Sequence, residues 1–261
     1  MNIQRPTILL VDDDELSRRM MSLLLSGEGY EFETATNGLE AVEAVKTGKF
    51  DFVLMDLQMP QMGGYEATAK IRAWEAETGY KHIPVFALTA MLFEGEKRQC
   101  LEAGMDDCLV KPFNTTELFR MIEAHASGTE KASGQRKEPE TNDELKASFL
   151  DVKAALPRFS GDIQTYREFL DEFLEALLER FEQLERLFQA SDYKALTDNA
   201  HNLKGVSANL GAMQLSALAL RLERQSLASD SQSIESTLQD LYGMITELQE
   251  TAQDYLLKFT D

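Results

Sequence analysis

Four short apolar segments each end on a side chain that could serve metal or phosphoryl chemistry. Ile8-Leu9-Leu10-Val11 runs into Asp12-Asp13-Asp14, and a second segment ends Leu54-Met55-Asp56. A third ends Leu88-Thr89-Ala90, and a fourth Leu109-Val110-Lys111-Pro112. As parallel strands of one sheet they would bring carboxylates, a hydroxyl and an ammonium to a single edge. Clustered carboxylates repel unless a cation or a proton intervenes, and hard oxygen ligands suit Mg2+. The Lys111 ammonium and the Thr89 hydroxyl could then hold a phosphoryl group bridged to that metal. The plainer reading of Asp12–Asp14 is an exposed turn or a helix cap.

Only three histidines exist, His82, His125 and His201. His82 precedes Ile83-Pro84, and His125 falls at the C-terminal end of a helical pattern, where an imidazolium suits the helix dipole. Both read as surface or structural residues. His201 lies in Ala200-His201-Asn202-Leu203-Lys204-Gly205-Val206-Ser207. On a helix, Lys204 and Gly205 share its face at i+3 and i+4. A glycine inside a helix costs roughly 1 kcal/mol against alanine, a cost that makes sense where bulk would block access to the imidazole. A cation one turn away could steady a phosphoryl group on a ring nitrogen. The bland alternative is a lone histidine in a helical bundle beside a tolerated glycine.

The elements that must position these groups differ between the two halves. In the first, Thr7–Val11, Phe52–Met55 and Pro84–Leu88 are nearly continuous apolar runs, as expected of strands covered on both faces. Glu31–Ala35 and Cys108–Val110 are weaker strand candidates. Helical spacing appears in Glu15–Leu25, Gly38–Val45, Tyr65–Ala76, Gly95–Ala103 and Thr116–His125. Five successive β–α units imply an open α/β sandwich, whose ligands bind beyond the carboxyl ends of the strands. The second half has almost no strand signal. Asp143–Leu156, Asp162–Gln189, Asp192–Asn209, Ala212–Ala228 and Ser233–Phe259 carry apolar residues at three- and four-residue spacings, with breaks at Pro157, Ser160-Gly161, Ala190-Ser191 and Ala228–Ser231. An antiparallel helical bundle with short loops follows.

Between the halves, Ser127–Glu140 holds two Gly and one Pro but no aromatic, and reads as a flexible linker. The expected organisation is therefore residues 1–126, a linker over 127–140, and residues 141–261. The chain carries 45 acidic and 26 basic residues for a formal charge of −19, shared almost equally between the halves, which argues against nucleic acid or anionic lipid as a partner. No apolar run approaches the roughly 18–20 residues a membrane helix needs. The N-terminus leads into only five apolar-rich residues, too few for a signal peptide. Cys100 and Cys108 form neither a disulfide framework nor a zinc pattern. A cytoplasmic protein without membrane insertion is the expectation.

The segments ILLVDDDELSRRM, VLMDLQMPQMGGYEA, ALTA and LVKPF, in this order, resemble the receiver domains of two-component response regulators over residues 5–126. The resemblance implies a flavodoxin-like, five-stranded parallel sheet in the order 2-1-3-4-5. It implies that Asp56 accepts a phosphoryl group, and that Asp13, Asp56 and the Gln58 backbone carbonyl ligate Mg2+ while Asp12 acts largely through water. It further implies that Thr89 and Lys111 contact the phosphoryl oxygens and that the Lys111–Pro112 bond is open to the cis form. Met59-Pro60 and Gly63-Gly64 fit the loop after the acceptor. Two positions depart from the family pattern. Cys108 stands three before Lys111, where many receivers carry an aromatic switch residue, and Met91 stands two after Thr89, where polar residues are common.

Ala200-His201-x-Leu203-Lys204-Gly205-x-Ser207-x-x-Leu210-Gly211-Ala212, followed by Leu218 and Leu222-Glu223, resembles histidine phosphotransfer (HPt) domains over about residues 141–261. That family is a four-helix bundle with an additional N-terminal helix. The resemblance implies His201 as phosphoacceptor, Lys204 as its electrostatic partner and Gly205 as the clearance position.

No Gly-rich nucleotide loop and no basic helix-turn-helix is present, so the chain is not expected to take phosphate from ATP alone or to read DNA. A phospho-accepting Asp and His together describe a relay intermediate: from a separate histidine kinase to Asp56, to His201, and on to a downstream receiver. The competing reading is a binding switch, in which phospho-Asp56 controls exposure of the helical domain without phosphotransfer through His201. Oligomeric state stays open, with a homodimer through the receiver as one form that receivers often take.

Overall fold

The computed structural model describes residues 5–89, 94–112, 115–126 and 150–257. The chain divides into two compact units, Met1–Ala132 and Ser133–Asp261. The stretch 127–140 and the first part of the expected helix Asp143–Leu156 lie outside the described residues.

The first unit alternates strands β1 (Ile8–Val11), β2 (Phe32–Ala35), β3 (Phe52–Asp56), β4 (Val85–Thr89) and β5 (Asp107–Val110) with helices α1 (Glu15–Gly27), α2 (Gly38–Val45), α3 (Gly64–Thr78), α4 (Glu94–Glu102) and α5 (Thr115–Ala126). The strands are all parallel, in the order β2-β1-β3-β4-β5. The three central strands are buried along their whole length. Successive side chains of a strand point to opposite faces, and the core divides accordingly. Leu9, Val11, Val53, Met55, Val85 and Ala87 pack with Ala41, Val42 and Val45 of α2 and Ala67 and Ile71 of α3. Ile8, Leu10, Phe52, Leu54, Phe86 and Leu88 pack with Met21, Leu24 and Leu25 of α1 and Leu118, Met121 and Ile122 of α5. Each such buried aliphatic or aromatic side chain contributes about 1.5–3 kcal/mol, so the sheet forms a rigid platform for its carboxyl edge.

At the opposite edge, Arg72 ties the β4 and β5 entries to α3. Its guanidinium bonds the Glu75 and Asp106 carboxylates and the carbonyls of Ile83 and Gly104. His82 joins this cluster with Nε2 2.7 Å from Asp106 Oδ1, and His125 stacks edge-on against Phe86. Both histidines therefore have structural surroundings, as the sequence implied.

Among its described residues the second unit has a short helix α6 (Val152–Ala155), a 3-10 turn over Leu156–Phe159, and four long helices, α7 (Ile163–Gln189), α8 (Tyr193–Asn209), α9 (Met213–Leu227) and α10 (Ser231–Leu257). Consecutive long helices pack together and α10 returns against α7. Asp162 and Asp192 cap α7 and α8 through backbone N–H groups of Gln164 and Ala195, each cap worth about 1 kcal/mol. The α7 stripe Phe169, Phe173, Leu177, Phe181 and Leu184 is buried. Pro157 does not break the chain abruptly. It lies within the 3-10 turn, near its start, where a missing N–H costs nothing. Gly211 has φ +82°, and a Cβ there would lie 2.6 Å from the Asp151 carbonyl oxygen. No helix among the described residues is long and apolar enough to cross a membrane.

Candidate functional site

Register places the acids. Val11 of β1 pairs with Met55 of β3, so the next residues, Asp12 and Asp56, emerge side by side from the carboxyl edge. Asp56 pairs with Leu88 of β4, and Thr89 with Val110 of β5, which brings Thr89 and Lys111 to the same edge. One carboxylate oxygen from each of Asp12, Asp13 and Asp56 falls within 4.8 Å of the others. The Lys111 ammonium lies 2.9 Å from Asp12 Oδ2 and 2.5 Å from Asp56 Oδ2. All three of these side chains are buried, as is Thr89. The Lys111–Pro112 peptide is cis.

Burial pushes the Asp12 carboxyl up to about 7, with neighbouring Asp56 adding to the rise and Lys111 opposing it. Burial likewise disfavours the Lys111 ammonium, but the Asp12 and Asp56 charges outweigh it and raise Lys111 above the usual lysine range. Two buried carboxylates on one ammonium, with the half-buried Asp13 carboxylate close by, leave negative charge in excess. A set of hard oxygens carrying that excess fits a divalent cation such as Mg2+.

The third acid of the run does something else. Asp14 caps α1, accepting from the Ser17 N–H at 2.9 Å, while its own N–H donates to Asp12 Oδ1 at 3.0 Å. The helix-cap reading thus holds for Asp14, and Asp12 and Asp13 are left to the pocket. Arg18, which the sequence reading passed over, donates from Nη1 to the carbonyls of Asp12 (2.8 Å) and Asp13 (3.3 Å) and fixes the turn that presents them. The Gln58 N–H donates to Asp56 Oδ1 at 3.2 Å. A Cβ on Gly64 would lie 2.3 Å from the Asp56 carbonyl oxygen, so the loop after Asp56 closes onto the strand end only with glycine there. Cys108 is half-buried against the α2–α3 side of the core. The binding-switch reading therefore lacks the aromatic residue that such a switch would use at this position.

The second site belongs to α8 and α9. His201 Nδ1 lies 2.8 Å from Glu223 Oε1, and Lys204 Nζ lies 2.5 Å from Glu223 Oε2 and 3.1 Å from His201 Nδ1. All three side chains are buried. Burial alone would raise the Glu223 carboxyl, but the hydrogen bond from His201 and the His201 and Lys204 charges hold it below its ordinary value. An ionised carboxylate only accepts, so Nδ1 carries the proton that it donates to Glu223. In the neutral ring the basic lone pair then belongs to Nε2. Lys204, already bound to Glu223, neutralises the carboxylate beside the ring. The sequence quoted Glu223 within its motif without a role, because its place beside His201 arises only when α9 packs on α8.

One expectation fares differently. The glycine spacing anticipated room around the imidazole, yet His201 is 5% exposed, Gly205 is buried, and Nε2 is enclosed without a hydrogen-bond partner among the described residues. The ring packs into the α8–α9 seam through its bond to Glu223 and does not stand off the helix.

A family model of the response regulator receiver domain matches residues 8–123, and one of the Hpt domain matches residues 168–254. The chain therefore belongs to the two-component signalling proteins, as a receiver domain followed by an Hpt domain. The sensor histidine kinase GacS of Pseudomonas protegens is 34% identical over 224 residues, covering 84% of this chain and 24% of that protein. The virulence sensor protein BvgS of Bordetella bronchiseptica is 31% identical over 221 residues, 83% of this chain and 18% of that protein. The chain thus spans about a quarter or less of these relatives. Among solved structures, the complex of the Saccharomyces cerevisiae histidine phosphotransfer protein Ypd1 with the receiver domain of Ssk1 matches at 28% identity, covering 50% of this chain and 94% of that one, with a TM-score of 0.45.

Proposed function

We propose that the chain is a phosphorelay intermediate that takes a phosphoryl group from a histidine kinase onto Asp56 and passes it through His201 to a downstream receiver. The observation that carries this reading is the coexistence of two poised acceptors: Asp56 against Lys111, and His201 against Glu223 and Lys204. The kinase as donor is supported by the relatives, one of which is named a sensor histidine kinase. On this reading residues 1–126 and 141–261 are the two working domains, with 127–140 as the linker between them.

In the first step an Asp56 carboxylate oxygen attacks the phosphorus of the donor phosphohistidine, forming a P–O bond as the P–N bond breaks. Lys111 offsets the negative charge spread over the equatorial oxygens, and Thr89, at the end of β4, supplies a hydroxyl at the same edge. Asp12, Asp13, Asp56 and the Gln58 carbonyl would hold Mg2+, which supplies further neutralisation of phosphoryl charge when bound. In the second step Nε2 of His201, neutral with its proton on Nδ1, attacks the phosphorus. A P–N bond forms, Asp56 leaves as a carboxylate, and the positive charge gained by the ring is met by Glu223. Lys204 lies beside the phosphorylated ring. With His201 buried as it stands, this step also requires that Nε2 be uncovered.

The test is labelling of the full chain with radioactive acetyl phosphate and Mg2+. Alkali-labile label on Asp56 and alkali-stable label on His201 are expected, with Asp56→Asn losing both and His201→Gln losing only the second. Alkali-stable label that survives His201→Gln overturns the proposal.

A further inference from the structure

Asp198, His201 and Lys204 follow one another at three-residue spacing along α8. Lys204 stands three residues after His201, and Asp198 three residues before it. Side chains at that spacing are neighbours, and helical side chains lean toward the N-terminus, each over the turn that precedes it. The described geometry obeys this rule for the first pair, since the Lys204 ammonium reaches back to within 3.1 Å of His201 Nδ1. His201 likewise stands one turn after Asp198, and the Asp198 carboxyl feels its charge. Nδ1 is occupied on the side of Lys204 and Glu223. The other nitrogen, Nε2, has no hydrogen-bond partner among the described residues.

Asp198 is half-buried and senses four charges: Lys194 one turn earlier and His201 favour its ionised form, whereas Asp192 and Glu223 oppose it. Burial of the carboxyl holds it above the ordinary carboxylate range. Asp198 has no place in the receiver chemistry, and the sequence motif around His201 assigns it nothing.

We infer that Asp198 sets how a phosphoryl group is shared between His201 and Asp56, by opposing the net negative charge that phosphorylation adds to the imidazole. This rests on the relay reading above. In the resting state the Asp198 carboxylate favours a protonated ring and has no charge–charge repulsion with a neutral one. After transfer, the ring and its phosphoryl group together carry one more negative charge than the neutral ring, and that charge forms beside Asp198. The acceptor state is therefore disfavoured, and the phosphohistidine is kept ready to give its group away. Lys194, drawing on the same carboxylate, weakens the effect. Asp198 acts on the acceptor through its charge and takes no part in bond making.

The experiment is the equilibrium ratio of alkali-stable to alkali-labile label in the full chain with Mg2+ and radioactive acetyl phosphate. In Asp198→Asn, which keeps the shape and removes the charge, this ratio is expected to rise roughly fivefold, the size of a single-charge interaction across one helical turn near a surface. Asp198→Glu should restore the wild-type ratio. Lys194→Gln should move the ratio the other way, and both shifts should shrink as ionic strength rises. A merely structural role would not produce changes of opposite sign in two variants. An unchanged ratio in Asp198→Asn, with the alkali-stable label still lost in His201→Gln, overturns the role of Asp198 and leaves the relay standing. Absence of alkali-stable label from wild type and Asp198→Asn alike overturns both.

Discussion

The Lys111 ammonium lies 2.5 Å from Asp56 Oδ2, although β4 separates their two strands in the sheet. The long side chain spans the end of β4 and also reaches Asp12 on β1, at 2.9 Å. One cation, carried at the end of β5, thus holds together two strand ends whose acids would otherwise repel.

Removing that cation should be costly in the absence of metal. Lys111→Met leaves the Asp12 and Asp56 carboxylates buried without their ammonium, and breaking a buried pair from one side costs about 3 kcal/mol. Urea unfolding of the receiver transition in EDTA should show this loss. On the proposed reading Mg2+ binds the folded pocket alone, so adding it should recover part of the stability. Labelling by acetyl phosphate should fall even with Mg2+ present, because the charge on the transferring group is no longer offset.

The oxygen cluster makes a separate claim on metal binding. Asp13 contributes one of the three carboxylates, whereas the Lys111 ammonium sits on Asp12 and Asp56, so substituting Asp13 should keep those two pairs. Asp13→Asn is expected to weaken Mg2+ binding at least tenfold by isothermal titration, the lower end of what loss of an oriented ligand or its support costs. Arg18→Ala, which frees the turn carrying Asp12 and Asp13, should weaken it by less. Equal effects would mean that the turn, and not the carboxylate, limits binding.

Much of this architecture could be read from the chain because strands buried on both faces write themselves as apolar runs. β1, β3 and β4 fall within a residue or so of their expected places. β2 was weaker because it is an edge strand with Glu33 and Thr34 exposed, so its pattern carries little apolar signal. The long helices of the second unit were legible through apolar residues at three- and four-residue spacings, and in α7 and α8 the caps Asp162 and Asp192 stand at the expected starts. Within the site, Asp12, Asp56 and Lys111 were visible because strand ends share an edge. Glu223 and Arg18 were not placed. The partner of Glu223 is 22 residues away on another helix, and Arg18 acts on backbone carbonyls, which no side-chain pattern reports. Nor could sequence decide which acid of Asp12–Asp14 caps α1; backbone geometry assigns that to Asp14.

Glu223 gives the bundle a pH dependence with a defined sign. Its carboxyl is held below the ordinary 4.5 by His201 and Lys204. A depressed acid contributes stability that is complete above 4.5 and is lost as pH falls through the lower folded value. Denaturant unfolding of the Hpt transition should therefore weaken over that acid range, and Glu223→Gln should flatten this part of the profile. At neutral pH the same substitution leaves the Lys204 ammonium buried without its carboxylate and should cost about 3 kcal/mol. A profile that keeps its acid slope in Glu223→Gln would place the titrating group elsewhere.

Two glycines should respond to alanine in opposite ways, and the contrast separates close packing from helix propensity. In Gly64→Ala the new Cβ would meet the Asp56 carbonyl oxygen at 2.3 Å and Met55 Cγ at 3.0 Å. The strand end that presents Asp56 must shift, so the receiver transition should lose about 1–3 kcal/mol. Acetyl phosphate labelling of Asp56 should fall with it, because a displaced carboxylate no longer faces Lys111 in the same geometry. Gly243 lies on the exposed side of α10, and a Cβ there meets nothing within 4 Å. In Gly243→Ala the residue gains helix propensity at no steric cost, and the Hpt transition should rise by about 0.5–1 kcal/mol. Equal, small changes in both variants would mean that the β3–α3 loop relaxes freely and that glycine at position 64 is not what holds Asp56 in place.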